Sequence, residues 1–455
     1  NARLVSVSEL RTTSPAPPDP HSKGFIAPPM DLSYLTVQSL PGRLSASGSI
    51  TETFDWRDRG GVNYVTPVRD QGACGACWAF AAAGNIESRL LIDGVHPARD
   101  VSENNAKNCN YYTANVAGWG GCDGGNYLML ANQFSKEGTV AETVDPYVAA
   151  DGTCQSITGP FEYTMRGWDL ISGDNAASVP AIKQAVAEHG PVVTAVYVGD
   201  GRDPAWAATF SAYPGSTVLN YTGAVTETNH MVLIVGWDDT ATYPGGQGAW
   251  IVKNSWGTGW GHAGYFKMAY GSAGTGTFVS YVTEWQPYDV RGGVLLHDEA
   301  GWTASVGWTG NNTAWGMNVF TATEQTSVTH VEFWTPDGMT DVGIKLFDGL
   351  DGGAFGPLRG ESAGHTYPAA GYHSVPLAEP LSLAAGQDIL AVVKFTAQST
   401  TWPVPVDTLG PAAGNSYVSP DGSAFYRSTN DIGIRLRILT LDLAEKVYLP
   451  LALRN

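Results

Sequence analysis

One cysteine, one histidine and two amide residues stand in contexts where each could take part in chemistry. Cys77 stands within the run Gln71-Gly-Ala-Cys74-Gly75-Ala-Cys77-Trp78-Ala-Phe80. From Trp78 onward, Ala82, Ile86 and Leu90 recur every four residues until Asp93-Gly94, which predicts a helix that begins beside the cysteine. A thiol attacks as its thiolate, and both a helix N-terminus and a protonated imidazole favour that form. Gln71 lies six residues upstream in a glycine-containing loop. Its amide could aim at a reacting carbonyl oxygen, with the Cys77 backbone N–H as the second donor. His230 starts the apolar run Thr228-Asn229-His230-Met231-Val-Leu-Ile-Val-Gly236-Trp237, which reads as a buried strand. Asn254 precedes Ser255-Trp256-Gly257-Thr-Gly-Trp260. An asparagine oxygen that accepts from an imidazole N–H fixes its tautomer and orientation, and the tryptophans would keep water away.

The elements that must carry these groups fall into an α+β pattern. Apart from the Cys77 helix, a helical stretch over 177–189 ends at Gly190-Pro191. Strand-like runs follow over 192–198, 230–237, 248–253 and 264–268, which predicts an antiparallel sheet after the helices. Residues 1–53 lack periodicity and carry Ser14-Pro-Ala-Pro-Pro-Asp-Pro20, so they read as a Pro-rich arm. The unit holding the chemistry spans 54–290. Arg291-Gly292-Gly293 is the expected linker, and 293–443 holds only short alternating runs with turn residues between them. These runs, 314–321, 329–334, 342–347, 373–377, 388–395 and 432–440, predict a β-sandwich. Residues 444–455 form a short tail.

Composition narrows the function classes. The 455 residues carry 25 basic and 43 acidic side chains, a net charge of -18, which argues against nucleic acid or an anionic membrane as partner. No run reaches the roughly 20 apolar residues of a membrane-spanning helix. The sequence begins without Met or a charged-then-apolar leader, so any signal segment is expected either to have been removed or to lie outside the given sequence.

Taken together, the motifs resemble the papain family of cysteine peptidases, to which the cathepsins belong. Cys74-Gly75-Ala76-Cys77-Trp78 fits that family's signature at each position. The resemblance covers roughly residues 54–287 and implies a two-lobed fold, one lobe helical and the other an antiparallel β lobe. It implies Cys77 as nucleophile, His230 as general base and acid, Asn254 as the orienting residue, Gln71 as oxyanion donor and Trp256 as a shield. It further implies that Gly124 and Gly125 pair with an extended substrate. Asn126, Tyr127, Ala195, Thr228 and Met231 would line the main specificity pocket, and Asn229, Trp256 and Trp260 are further expected substrate contacts. Of the five cysteines, the resemblance pairs Cys74 with Cys122 and Cys109 with Cys154, leaving Cys77 free. Disulfides suit an oxidising compartment, hence a secreted, extracellular or cell-surface location. His230 follows Cys77 by 153 residues, somewhat beyond the family's usual spacing of roughly 130–150. The excess is assigned to loops at 111–120, 199–216 and 238–248.

The arm occupies the place of a propeptide, though it is short and Pro-rich. It is expected to cross the cleft and to be cut between about Gly42 and Phe54. The second domain resembles the lectin-like β-sandwich of some microbial members, where Trp302, Trp308, Trp315 and Trp334 could stack on a glycan or form core. Redox and zinc readings of Cys74-x-x-Cys77 lack a second such pair, and no metal or cofactor is expected. Asp348-Gly-Leu-Asp351 and Asp238-Asp239 fit plain turns better than a calcium loop. His189, His262, His365 and His373 are read as structural or surface groups. The expected activity is endopeptidase hydrolysis of peptides through a thioester. The alternative is a non-catalytic or adhesin-like protein, binding peptide or glycan, on the same scaffold.

Overall fold

The computed structural model describes residues 23–35, 37, 40, 51–155, 160–351 and 354–440. The Pro-rich stretch 14–20, the start of the expected cut region at 42–50 and the tail 444–455 lie outside the described residues.

The helix Cys77–Ile92 is buried on nearly all sides rather than along the one stripe its spacing suggested. Its small residues Ala79, Ala81, Ala82 and Ala83 let neighbours approach all round, and Arg89 escapes to pair with Asp93. Around it stand shorter helices whose starts are set by side-chain caps. Ser102 caps Glu103–Asn108 and Asn126 caps Tyr127–Lys136. Ser178 caps Val179–His189, which carries a proline in its first turn and stops at Gly190. Asp203 caps Pro204–Ser211. This last helix fills the segment read as a loop at 199–216, and it buries Trp206 and Phe210. The excess at 238–248 is likewise ordered, as the extended hairpin of His230–Tyr243 and Gly246–Lys253. Part of 111–120 is the short helix Tyr111–Asn115.

A single sheet runs through both halves of the molecule. Its strands are ordered Val218–Leu219, Tyr265–Ala269, Gly246–Lys253, His230–Tyr243, Val192–Val196, Thr275–Pro287 and Tyr163–Leu170. It then continues without a break into Ala370–Leu383, Thr326–Thr335, Ile434–Thr440 and Gly292–Leu295. The join is the antiparallel register Leu170 with Ala370, Asp169 with Gly371 and Trp168 with Tyr372. A Cβ on Gly371 would sit 1.9 Å from the Trp168 carbonyl oxygen, so only glycine allows this approach. Gly292 and Gly293, expected in a linker, already belong to the sheet, paired with Leu439 and Ile438.

The C-terminal half is a β-sandwich. Its second sheet is ordered Leu358–Tyr367, Thr340–Asp348, Asp388–Thr396, Thr313–Thr321, Ser416–Ser419 and Tyr426–Arg427. Alternating residues such as Val342, Ile344 and Leu346 face Val331, Phe333, Val375 and Leu436 across a closed apolar core. Trp302 and Trp334 are buried, so of the four tryptophans offered for sugar stacking only the half-buried Trp308 and Trp315 reach the surface.

Buried charges reinforce the join. Glu332 accepts from Arg166 at 2.8 Å and Arg437 at 2.7 Å, and also from Tyr372 Oη at 2.6 Å. Burial alone would raise the Glu332 carboxyl, but Arg437 and Arg166 bring it down to about 2. Arg435 grips Asp298 and donates to Asn132 on the helix Tyr127–Lys136.

Candidate active site

Cys77 is the first residue of the central helix, and His230 is the first of the strand alongside it. The start of the helix and the start of the strand come together where the Met231 backbone N–H lies 3.4 Å from Cys77 Sγ. His230 Nε2 is 2.8 Å from Asn254 Oδ1. The Ser255 backbone N–H donates to that same Oδ1 at 2.9 Å, so the atom must be the carbonyl oxygen. Nε2 therefore carries the proton, and Nδ1 is the basic nitrogen of the neutral ring. Trp256 packs against the imidazole with ring centres 5.1 Å apart. Behind it, Trp260 and Phe210 stand 5.2 and 5.3 Å from Trp256 and close this side to water. Phe210 comes from the helix hidden in the segment 199–216, and its sequence signal was the Asp-Pro start at 203–204.

Gln71 is fully buried, and its amide is held from both ends. Ser255 Oγ donates to Oε1 at 2.6 Å, while Nε2 donates to the Cys74 carbonyl at 2.8 Å. Cys74 is bonded to Cys122 and Cys109 to Cys154, and Cys77 is the free cysteine. Burial pushes the Cys77 thiol up to about 11, against the opposing backbone N–H groups of Met231, Gly24, Trp78 and Cys77.

Gly24 belongs to the N-terminal arm, which lies in the cleft. The Gly125 N–H donates to the Gly24 carbonyl at 2.8 Å, and the Ile26 N–H donates to the Gly125 carbonyl at 3.0 Å. This makes a parallel bridge between Phe25 and Gly125. The Phe25 N–H reaches the Asn229 carbonyl at 3.2 Å, and Asn126 Nδ2 donates to the Ile26 carbonyl at 3.0 Å. Gly125 must be glycine here, because a Cβ would meet Trp78 and Met129 at 2.9 Å. The Phe25 ring packs on Phe278 with ring centres 5.1 Å apart, and both line a small cavity together with Asn126, Tyr127, Trp168, Leu170 and Met231. Ala195 and Thr228 are not among its lining residues, and Trp168, Leu170 and Phe278 are additions. Sequence spacing gave no sign of these three, because they come from strands far along the chain from the motifs. Beyond the cavity the arm buries Leu32 and Leu35, and Tyr34 Oη donates to the Pro336 carbonyl of the β-sandwich.

A free thiol at a helix start and an imidazole oriented by an amide are groups that a cysteine hydrolase uses, and a second amide is held at the Cys74 carbonyl three residues before the thiol. The model of the papain family of cysteine proteases matches residues 50–283, and that of a lectin-like domain matches residues 294–435. The chain belongs to the papain family. Human cathepsin O is 32% identical over 227 residues, covering 49% of this chain and 63% of that protein. Gamete and mating-type specific protein A of Dictyostelium discoideum is 36% identical over 224 residues, covering 48% and 42%. The chain thus spans about half the length of the curated relatives it matches. The crystal structure of the cysteine protease and lectin-like domains of Cwp84, a surface layer associated protein of Clostridium difficile, has a TM-score of 0.73 at 20% identity. That match covers 92% of this chain and 93% of the other, and so extends the shared fold over both domains.

Proposed function

We propose that this chain is a secreted or surface-exposed cysteine endopeptidase, held inactive by its own N-terminal arm. The observation that carries the reading is His230 Nε2 fixed at 2.8 Å from the Asn254 amide oxygen, with the backbone N–H of the next residue, Met231, on the Cys77 sulfur at 3.4 Å. In this scheme Cys77 passes its proton to His230 Nδ1, and the thiolate attacks the substrate carbonyl carbon. The oxyanion is met by the Cys77 backbone N–H and Gln71 Nε2. As the C–N bond breaks, the imidazolium gives its proton to the leaving amine, leaving a thioester. Water, deprotonated by His230, then hydrolyses the thioester and returns the thiol. Burial of the aromatic wall favours these transfers by excluding bulk water.

The arm acts as a blocker because it offers the wrong atom to the sulfur. An amide N–H of Gly24, not a carbonyl carbon, faces Cys77. Release exposes the nucleophile and reduces the burial that keeps it protonated. Cleavage between about Gly42 and Phe54 would leave Phe54 and Trp56 packed near Trp237. The two disulfides support an oxidising compartment, and among the described residues no helix is long and apolar enough to cross a membrane.

The test is labelling with a thiol-directed epoxide, together with turnover of peptide substrates and N-terminal sequencing of the active form. Labelling confined to Cys77, with activity lost in C77A, is expected. An unreactive Cys77 after processing would refute the peptidase reading, and an intact Asn1 on fully active enzyme would refute the arm's role.

A further inference from the structure

The cavity beside the Phe25 ring has two walls attached to the C-terminal domain. One is the strand Tyr163–Leu170, whose Trp168 and Leu170 line the cavity. These two residues stand in register with Tyr372 and Ala370 of the sandwich. The other is the start of the helix Tyr127–Lys136, where Tyr127 forms the lining. Five residues further along, Asn132 accepts from Arg435 and donates to the Glu299 carbonyl at 2.9 Å. Ser135 gives its carbonyl to Arg437 at 2.6 Å.

Between these walls runs a continuous aromatic stack. Tyr127 lies on Trp168 with ring centres 5.2 Å apart, and Trp168 meets the edge of Trp334 at 6.0 Å. Trp334 in turn packs on Tyr372 at 4.8 Å and donates its indole N–H to Asp298 at 3.1 Å. The Arg435 guanidinium covers Trp334 and Tyr372 at 5.5 and 5.4 Å. The Trp168 indole N–H finds no hydrogen-bond partner among the described residues. Its ring position is therefore set by packing, with Tyr127 on the cavity side and Trp334 on the sandwich side.

We infer that the C-terminal domain sets the shape of the peptidase specificity pocket, with Trp334 as the positioning residue acting through Trp168 on Tyr127. The inference rests on the peptidase reading above. It gives the sandwich a task within the reaction: a side chain at the position that pairs with Gly125 is selected by a wall whose back is held by the second domain. Trp334 touches no substrate, and its effect is carried by the ring in front of it.

The test compares wild type, Trp334→Phe and Trp334→Ala. Self-processed chains are assayed on two peptides that differ only in phenylalanine or alanine at the residue pairing with Gly125. The ratio of their kcat/KM values does not depend on how much of each variant is correctly folded. The ratio is expected to fall about tenfold in Trp334→Ala and less in Trp334→Phe, mainly through KM, as for changed packing in an apolar pocket. Cys77 alkylation by a small reagent keeps its rate. An unchanged ratio in the folded variants overturns the inference, and Trp334→Phe decides alone where Trp334→Ala does not fold. A second readout needs no turnover: amide exchange of Phe25 and Ile26 in the full chain, which should quicken in Trp334→Phe if the pocket wall moves. Wild type without peptide turnover would sink the peptidase reading, while exchange unaltered by Trp334→Phe would sink this one.

Discussion

Replacing Gly24 by alanine should open the cleft. A Cβ placed on Gly24 would lie 1.8 Å from the Gly75 carbonyl oxygen and 2.2 Å from its carbonyl carbon. Gly75 cannot retreat, because its own N–H is bonded to the Cys122 carbonyl at 3.1 Å and Cys122 is tied to Cys74. The arm must therefore lift, and three backbone hydrogen bonds of 2.8, 3.0 and 3.2 Å, between Gly24, Ile26 and Phe25 and their partners Gly125 and Asn229, are strained or lost. At about 0.5–1.5 kcal/mol net each, their loss weakens the closed state by roughly 1.5–4.5 kcal/mol. That corresponds to about a tenfold to thousandfold rise in the open population. The assay is the rate of Cys77 alkylation by iodoacetamide in full-length, unprocessed chain, with C77A as the blank. The expected outcome is an acceleration of at least about tenfold in G24A, while thermal unfolding of the body moves little. Alkylation of G24A at the wild-type rate, with the arm still uncut, would refute the claim that this crossing point shields the thiol.

Other outcomes follow from the same geometry. In the unprocessed chain the thiol is held up at about 11, so alkylation should climb steeply between pH 7 and 10; arm removal should shift the profile to lower pH, and coincident profiles would contradict the assigned cause. Gln71→Ala should lower kcat by about 10²–10³-fold while leaving alkylation of the processed enzyme nearly unchanged, and equal losses in both would point to a structural role. Glu332→Gln leaves two buried guanidinium groups without their carboxylate and should cost about 3–5 kcal/mol in denaturant unfolding at pH 7. The Glu332 pKa is depressed on folding, so its contribution is present above about pH 4.5 and is lost as pH falls toward about 2. Wild type should therefore lose its advantage over Glu332→Gln across that window, and a constant gap would refute the assignment.

Much of the site was legible because its residues sit in short, distinctive contexts. Cys77 and His230 each open an element and Asn254 directly follows one, where residue type and periodicity change together. The helix Tyr127–Lys136 was missed because its first residues were read as pocket lining, yet Asn126 is at once its cap and a contact to the arm. The helix Pro204–Ser211 was hidden for a different reason. Its eight residues bury only Trp206 and Phe210, too few to establish a period. Asn126, Tyr127 and Met231 were read as lining, but the remaining cavity walls could not be read. Trp168 and Leu170 come from a strand buried at every position, which carries no alternation to show which face meets the cleft. The continuity of the sheet was equally silent, since Ala370 and Leu170 are 200 residues apart and nothing local pairs them. Arg291-Gly-Gly looked like a linker because glycine marks turns, but here it enters a strand.

The shared strand also bears on how the molecule is made. Tyr163–Leu170 gains its second neighbour only when Ala370–Leu383 arrives, some 200 residues later in the chain. Until then, a nascent peptidase half carries an unpaired edge with Trp168 exposed beside it, the kind of surface that recruits other strands. A chain cut back to about residue 290 would keep every member of the catalytic group and still be an unfinished sheet. Expressed alone, that half should aggregate or bind chaperones, and co-expression of residues from about 291 onward should rescue it. The second domain would thus act during synthesis as the cover strand that completes the first.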